Sequence, residues 1–466
     1  PVLNCTKYAP LEMTLKMARP PALRQHGGDA PLCRRGGSGG TRLFSSSGGG
    51  GGDAALEMPP EMPLETTLEM LRMIPEFQEA EAAEAAEAEG GAEGGAAAAG
   101  LFRVLEICDN SVGAAHPMTA EVVARLLRAV CAVFSPYGAD ARLRQSATGL
   151  LARRPAAGTT STPLTDTNAM AYLALALNDP RRAAAVLDAA APLQSTSWSL
   201  PPSSSSSAVV VLATYHNLRG TALTLLGSEQ DATSAFQDAF AVLDDDDARS
   251  GASNGQHTLA TAQVHHNLGC CQAFVAADTA AAVDTWRAGL GLLQQWGRQQ
   301  DENSWADSDH RQRKQISEAE LLCNIGQIEI NDPDASVREA GVAALAQALE
   351  ILGDAYDVGH ARTARVLALL ARGYHLDGKA VSSEGLYRSA LAALEGPGAA
   401  EVPSLVRQRI STLRGYAALL HDWEQREGDS TRQAELADAL EEESGAVGDG
   451  GGSMVFPLSM CLPEPH

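Results

Sequence analysis

Residues 359–394, GHARTARVLALLARGYHLDGKAVSSEGLYRSALAAL, carry apolar side chains at a spacing that a pair of helices satisfies. Leu367, Leu370, Ala371 and Tyr374 fall at i, i+3, i+4 and i+7, and Tyr387, Ala390, Leu391 and Leu394 repeat the spacing. Each set therefore lies on one helix face. A turn at 375–378 separates them. The small residues Ala364, Ala368, Ser383 and Ala390 stand where two helices must approach closely. A pair this short cannot bury both of its apolar faces, so it needs similar pairs as neighbours.

The chain supplies them. Residues 168–193 read as a helix, an Asn-Asp-Pro turn and a second helix opened by Pro180. In 212–243, Gly220 and Ala222 are the small residues of the first helix, Gly227 makes the turn, and Ala232, Phe236 and Ala239 carry the second. In 260–293, Asn267-Leu268-Gly269 precedes Ala282, Trp286 and Gly289. In 319–352, Asn324-Ile325-Gly326 precedes Gly341, Leu345 and Ala348. A less regular unit, 404–441, has Leu419, Leu420 and Trp423, then Ala434, Ala437 and Leu440.

These segments resemble tetratricopeptide repeats, whose pattern sets an aromatic, Leu-Gly, an aromatic, Ala, Phe and Ala over about 34 residues. Segment 359–394 is most similar to the variant found in kinesin light chains. The likeness spans roughly residues 165–441. Phe236, Trp286, Leu345 and Tyr387 stand 50, 59 and 42 residues apart, so every interval exceeds the family period. The excess reads as polar loop insertions at 244–256, 294–315 and 353–359. The resemblance implies an all-α, tetratricopeptide-like right-handed α-solenoid of about six helical hairpins. It also implies a protein or peptide partner held on a concave surface lined by the first helices.

Four regions follow. Residues 1–100 are expected to be a disordered low-complexity leader. Its first 50 residues carry seven Lys and Arg against two acids, with Thr41-Arg42-Leu43-Phe44-Ser45 similar to the ends of mitochondrial presequences. A disordered Gly-rich tail with chance arginines is the alternative. Residues 51–100 carry one Arg against twelve acids, and the Ala/Glu tract 76–93 reads as a solvated spacer. Order is expected from Leu101, with 101–160 a helical cap or degenerate repeat whose second helix is capped by Thr119, with Glu121 in its first turn. Residues 161–441 are the repeat domain and 442–466 a disordered tail.

The net charge of −23 argues against nucleic acid, which requires a basic surface. No apolar run reaches the roughly 18 residues of a transmembrane helix. The eight cysteines lack CxxC spacing and mostly lie in apolar helical patterns, which predicts reduced, buried thiols. Residues 373–380 fit GxxxxGK, but a helix precedes them and Ala380 replaces the metal-binding hydroxyl, so a hairpin turn explains them better. His266 and Cys270 are at i, i+4 and would share a face as zinc ligands do, although Leu268-Gly269 places this helix inside a repeat. The run 244–247 reads as a solvated acidic turn with no partner for acid–base work. No catalytic residue, metal or cofactor is assigned.

The positive candidate is a basic stripe. Arg362, Arg365 and Arg372 lie near one face of a first helix, and Arg407 and Arg414 lie seven apart on the next. On the groove implied by the resemblance they would pair with an acidic segment of a partner. Solvated arginines paired with neighbours such as Glu384 are the alternative. The chaperone-tail clamp of the family needs lysines that the first helices at 168–177, 213–226 and 260–274 lack. The expected role is a scaffold or assembly factor. With a true presequence its setting resembles that of mitochondrial tetratricopeptide proteins that assist respiratory-complex assembly, with chloroplast or cytoplasm as alternative locations. The competing expectations are a structural subunit of a large cytoskeletal, ciliary or organellar complex and, further off, a metal-dependent enzyme using the His/Cys helix.

Overall fold

The spacing of apolar residues at three and four positions is realised as helix throughout the computed structural model. It describes residues 64–88, 96–113, 116–133, 141–152, 164–197, 206–250, 255–299, 308–356, 360–395, 403–423 and 425–444. All lie in one compact unit, Pro60–His466. The described residues form 17 helices and no strand. In order these are α1 (Leu64–Leu71), α2 (Pro75–Ala88), α3 (Ala96–Ser111), α4 (Pro117–Val133), α5 (Ala141–Ala152), α6 (Leu164–Ala176), α7 (Pro180–Ser197), α8 (Ser206–Leu225) and α9 (Glu229–Ser250). Then follow α10 (Gly255–Phe274), α11 (Thr279–Gln299), α12 (Ser308–Glu329), α13 (Ala335–Ala355), α14 (Ala361–Leu376), α15 (Ala380–Ala393), α16 (Pro403–His421) and α17 (Glu427–Ser444). Neighbouring helices pack as pairs: α6 with α7, α8 with α9, and so on to α16 with α17. Each pair also packs on the next, through α7 on α8, α9 on α10, α11 on α12, α13 on α14 and α15 on α16.

Small residues set how closely the members of a pair approach. A Cβ built on Gly220 would lie 2.5 Å from the Phe236 ring, and one on Gly326 would lie 2.6 Å from Leu345. Phe236, Trp286, Leu345 and Tyr387 are all fully buried at these contacts. Within the segment 359–394, Leu367, Leu370, Ala371, Tyr387, Ala390 and Leu394 are buried, as are Ala364, Ala368 and Ser383. Its turn places Gly378 at φ 74°, a left-handed conformation that glycine adopts without a Cβ penalty. The GxxxxGK run is therefore the end of α14, this turn and the start of α15.

The chain departs from the sequence expectations in several places. The first described helix begins at Leu64, well before Leu101. The Ala/Glu tract is not wholly solvated through its described part, 76–88. It forms α2, which buries Phe77 and Ala80 and packs on α3. Arg125 of α4 draws in its acids, lying 3.1 Å from Glu81 and 3.3 Å from Glu84. An apolar anchor at Phe77 together with a half-shielded arginine supplies the face that the acidic composition hides. Thr119 is not an N-cap. It sits inside α4, donating its hydroxyl to Gly113 O, and His116 Nδ1 accepts the Met118 N–H instead. The acidic run 244–247 is no turn, because α9 continues through it to Ser250. The long repeat intervals likewise arise partly from helices of 21 and 22 residues, α11 and α12, rather than from loops alone. The presequence-like residues 1–50, residues 198–205 and the expected tail from 445 onward lie outside the described residues.

The five described cysteines, Cys108, Cys131, Cys270, Cys271 and Cys323, are free and buried. No described helix is long and apolar enough to cross a membrane.

Burial also makes the fold sensitive to acid. It holds His216, His265 and His360 below the ordinary histidine value of 6.5, so the unfolded imidazoles take protons more readily than the folded ones. The stability they contribute is complete above the unfolded value and is lost as pH falls below it. His360 caps α14, its Nδ1 accepting the Arg362 N–H at 3.2 Å, and protonation abolishes that acceptor. The urea midpoint is expected to fall between pH 7.5 and pH 5.5. His360→Ser, which keeps a capping oxygen, is expected to flatten part of that slope; an unchanged slope would refute the cap's share.

Candidate partner-binding surface

The first helices of successive pairs lie side by side, α6 against α8, α8 against α10, α10 against α12, α12 against α14 and α14 against α16. From α6 to α14 they are joined by buried polar side chains. Asn168 Nδ2 of α6 donates to Val211 O of α8 at 2.9 Å. Asn267 Nδ2 of α10 donates to Asn217 Oδ1 and Thr221 Oγ1 of α8, at 2.9 and 3.1 Å. Asn324 Nδ2 of α12 faces His266 Nε2 of α10 at 3.1 Å. Arg365 Nη2 of α14 donates to Asn324 Oδ1 at 2.7 Å and to Gln327 Oε1 at 2.6 Å. Because Asn324 turns its oxygen to the arginine, its amide N–H₂ faces the imidazole. His266 therefore accepts on Nε2 and carries its proton on Nδ1.

This seam was half legible in the sequence. Asn217, Asn267 and Asn324 stand two or three residues before Gly220, Gly269 and Gly326, so the helical period brings each amide to the same part of its helix. A recurring polar residue beside a recurring small one was the available signal.

Arg365 is the anomaly. It is 7 % exposed, its Nε has no hydrogen-bond partner, and its bonds go to neutral amides rather than a carboxylate. The other arginines of the stripe lie in different surroundings. Arg362 lies 3.4 Å from Glu320 and over the Tyr356 ring. Arg372 is half-buried on α14. Arg407 reaches from α16 to the turn between α6 and α7, donating to Asn178 Oδ1 at 3.2 Å. Arg407 keeps solvent access, yet the protein around it withdraws enough water to hold its guanidinium below the ordinary arginine value. Arg414 turns toward its own partner helix, pairing with Glu441 and with Asp438 at 3.4 Å. Arg362 and Arg365 are thus brought together against α12, while Arg407 and Arg414 point elsewhere. Glu384 serves Arg388 and Arg426, at 2.7 and 3.2 Å, and none of the stripe.

The His/Cys helix is accounted for by the seam. Asn324 Nδ2 also lies 3.5 Å from Cys270 Sγ, and burial pushes that thiol up to about 12, so it stays protonated and poorly nucleophilic. Burial raises Cys323 as well. Among the described residues no group of three or more His, Cys, Asp or Glu side chains converges as metal ligands do.

No family model matches the chain, and no curated protein is significantly similar to it.

Proposed function

We propose that the chain is a tetratricopeptide-like, right-handed α-solenoid of about six hairpins that holds an extended segment of a partner protein, as a scaffold or assembly factor. The observation that carries this reading is the polar seam from Asn168 to Arg365, which fixes successive first helices side by side. Helices held in that way present one long continuous surface, the kind to which an extended chain adds its own hydrogen bonds. The Arg407–Asn178 contact supports a row that curls, since it brings α16 to the turn after α6 although four pairs lie between them. An acidic segment is the favoured occupant, because Arg362, Arg372 and Arg407 remain at or near solvent on first helices of a chain whose net charge is −23. The presequence-like composition of residues 1–50 supports mitochondrial delivery, and their deletion would then leave a fluorescently tagged chain outside mitochondria.

The test is affinity capture with the intact chain and with Arg362→Gln/Arg372→Gln/Arg407→Gln, leaving the buried Arg365 in place. Glutamine keeps a polar side chain and removes the charge. The variant is expected to melt within a few degrees of the intact chain and to lose about tenfold or more of an acidic partner, roughly 1.4 kcal/mol. Equal recovery of the same partners by both forms would end the proposal.

A further inference from the structure

Between α15, α16 and α17 runs an open cleft of about 650 Å³. Its floor is apolar, made by Leu391, Leu413, Leu420, Leu436 and Leu440, and Leu436 is 46 % exposed. Its rim is charged, and its three arginines are already paired from within the chain. Arg426 lies 2.6 Å from Asp429, Arg409 lies 3.5 Å from Glu395, and Arg388 lies 2.7 Å from Glu384. An apolar floor inside a self-paired rim suits an uncharged, apolar occupant and offers nothing extra to an acidic one. One polar group inside is unanswered: Arg409 Nε is buried and has no acceptor, which a backbone carbonyl entering the cleft would supply.

The sequence carries a segment of matching chemistry shortly after α17, one wall of this cleft. Glu443 lines it, and α17 ends one residue later at Ser444. The sequence continues with a glycine-rich stretch, 445–453, and then Met454-Val455-Phe456-Pro457-Leu458-Ser459-Met460-Cys461-Leu462, which has no charged residue. That composition is unlike the polar, charged kind that cannot bury itself. A nine-residue link reaches up to about 30 Å, and the 18 residues of α17 span about 27 Å, so the link reaches any point along the cleft. Pro457 disfavours a helix interior, so the run would enter extended, presenting carbonyls to Arg409.

We propose that residues 454–462 dock in this cleft of their own chain. The occupant is favoured over a separate molecule because a short link raises its local concentration to the millimolar range, enough for individually weak apolar contacts. The proposal is independent of what the first helices bind.

Cys461 provides the readout. Its alkylation by iodoacetamide is followed peptide by peptide by mass spectrometry in the full chain and in the free peptide 453–466. Docking is expected to slow it at least about tenfold in the full chain, the ratio of a millimolar effective concentration to a sub-millimolar intrinsic affinity. Phe456→Asp, outside the described helices, and Leu436→Asp, at an exposed position, are each expected to restore the free-peptide rate with an unchanged helical circular-dichroism spectrum and a urea midpoint lowered by no more than a tenfold docking equilibrium is worth. Equal rates in the intact chain and the peptide would overturn the proposal. So would protection that grows with protein concentration, which would assign the cleft to a second copy, or protection that survives Phe456→Asp.

Discussion

Gly269→Ala is expected to lower stability by about 2 kcal/mol, although alanine is the better helix former by about 1 kcal/mol. The Cβ would arrive 2.3 Å from Trp286 Nε1 and 2.6 Å from Cδ1. That ring has no slack. It is fully buried, and its indole N–H donates to His266 O at 2.9 Å, so moving the ring breaks a buried hydrogen bond. The chain shows the alternative at the next pair, where Gly326 faces Leu345 rather than an indole. Trp286→Leu alone should cost about 3 kcal/mol through the cavity and the orphaned carbonyl. In Gly269→Ala/Trp286→Leu the added methyl enters space that the ring has left. The double variant is therefore expected to be more stable than the sum of the singles by about 1–2 kcal/mol in urea unfolding. Additive losses would show that the glycine is not there for the ring.

The same contact explains which parts of the fold were legible. Gly269 with Trp286 and Gly220 with Phe236 announce themselves in the sequence, because a small residue and a large one recur at nearly constant separation along helical pattern. The extent of each helix was less visible. Asp244 and its neighbours look like a loop by composition, yet α9 runs through them, since once its apolar face is packed a helix can extend into polar residues without further burial. The helix at 75–88 was hidden for the converse reason. Its only large apolar residue is Phe77, and its docking depends on Arg125, 44 residues away from Glu81. A window along the sequence cannot see such a partner. The surroundings of the arginines were hidden for the same cause: Arg362 and Arg365 share a direction set by α14, whereas Arg414 pairs with acids on α17.

Asn324→Leu is expected to cost about 3 kcal/mol, and Asn324→Asp less than about 1 kcal/mol, although leucine is the more natural occupant of a fully buried site. Leucine takes away one of the two acceptors of Arg365 and leaves a buried guanidinium on Gln327 alone. It also removes the amide that His266 Nε2 faces at 3.1 Å. Aspartate does the opposite. It keeps the oxygen that Arg365 uses and adds the negative charge that this arginine lacks. His266 needs only to move its proton from Nδ1 to Nε2 to donate to the second carboxylate oxygen. Urea unfolding of the two variants at pH 7.5 gives the comparison, and leucine equal to or better than aspartate would remove the seam as a determinant of the fold. The native asparagine is the residue that accepts from one helix and donates to the previous one while staying neutral. That dual capacity ties α10, α12 and α14 in one register, because a shift of any of them by one residue would separate donor from acceptor in a place where water is not at hand to replace either.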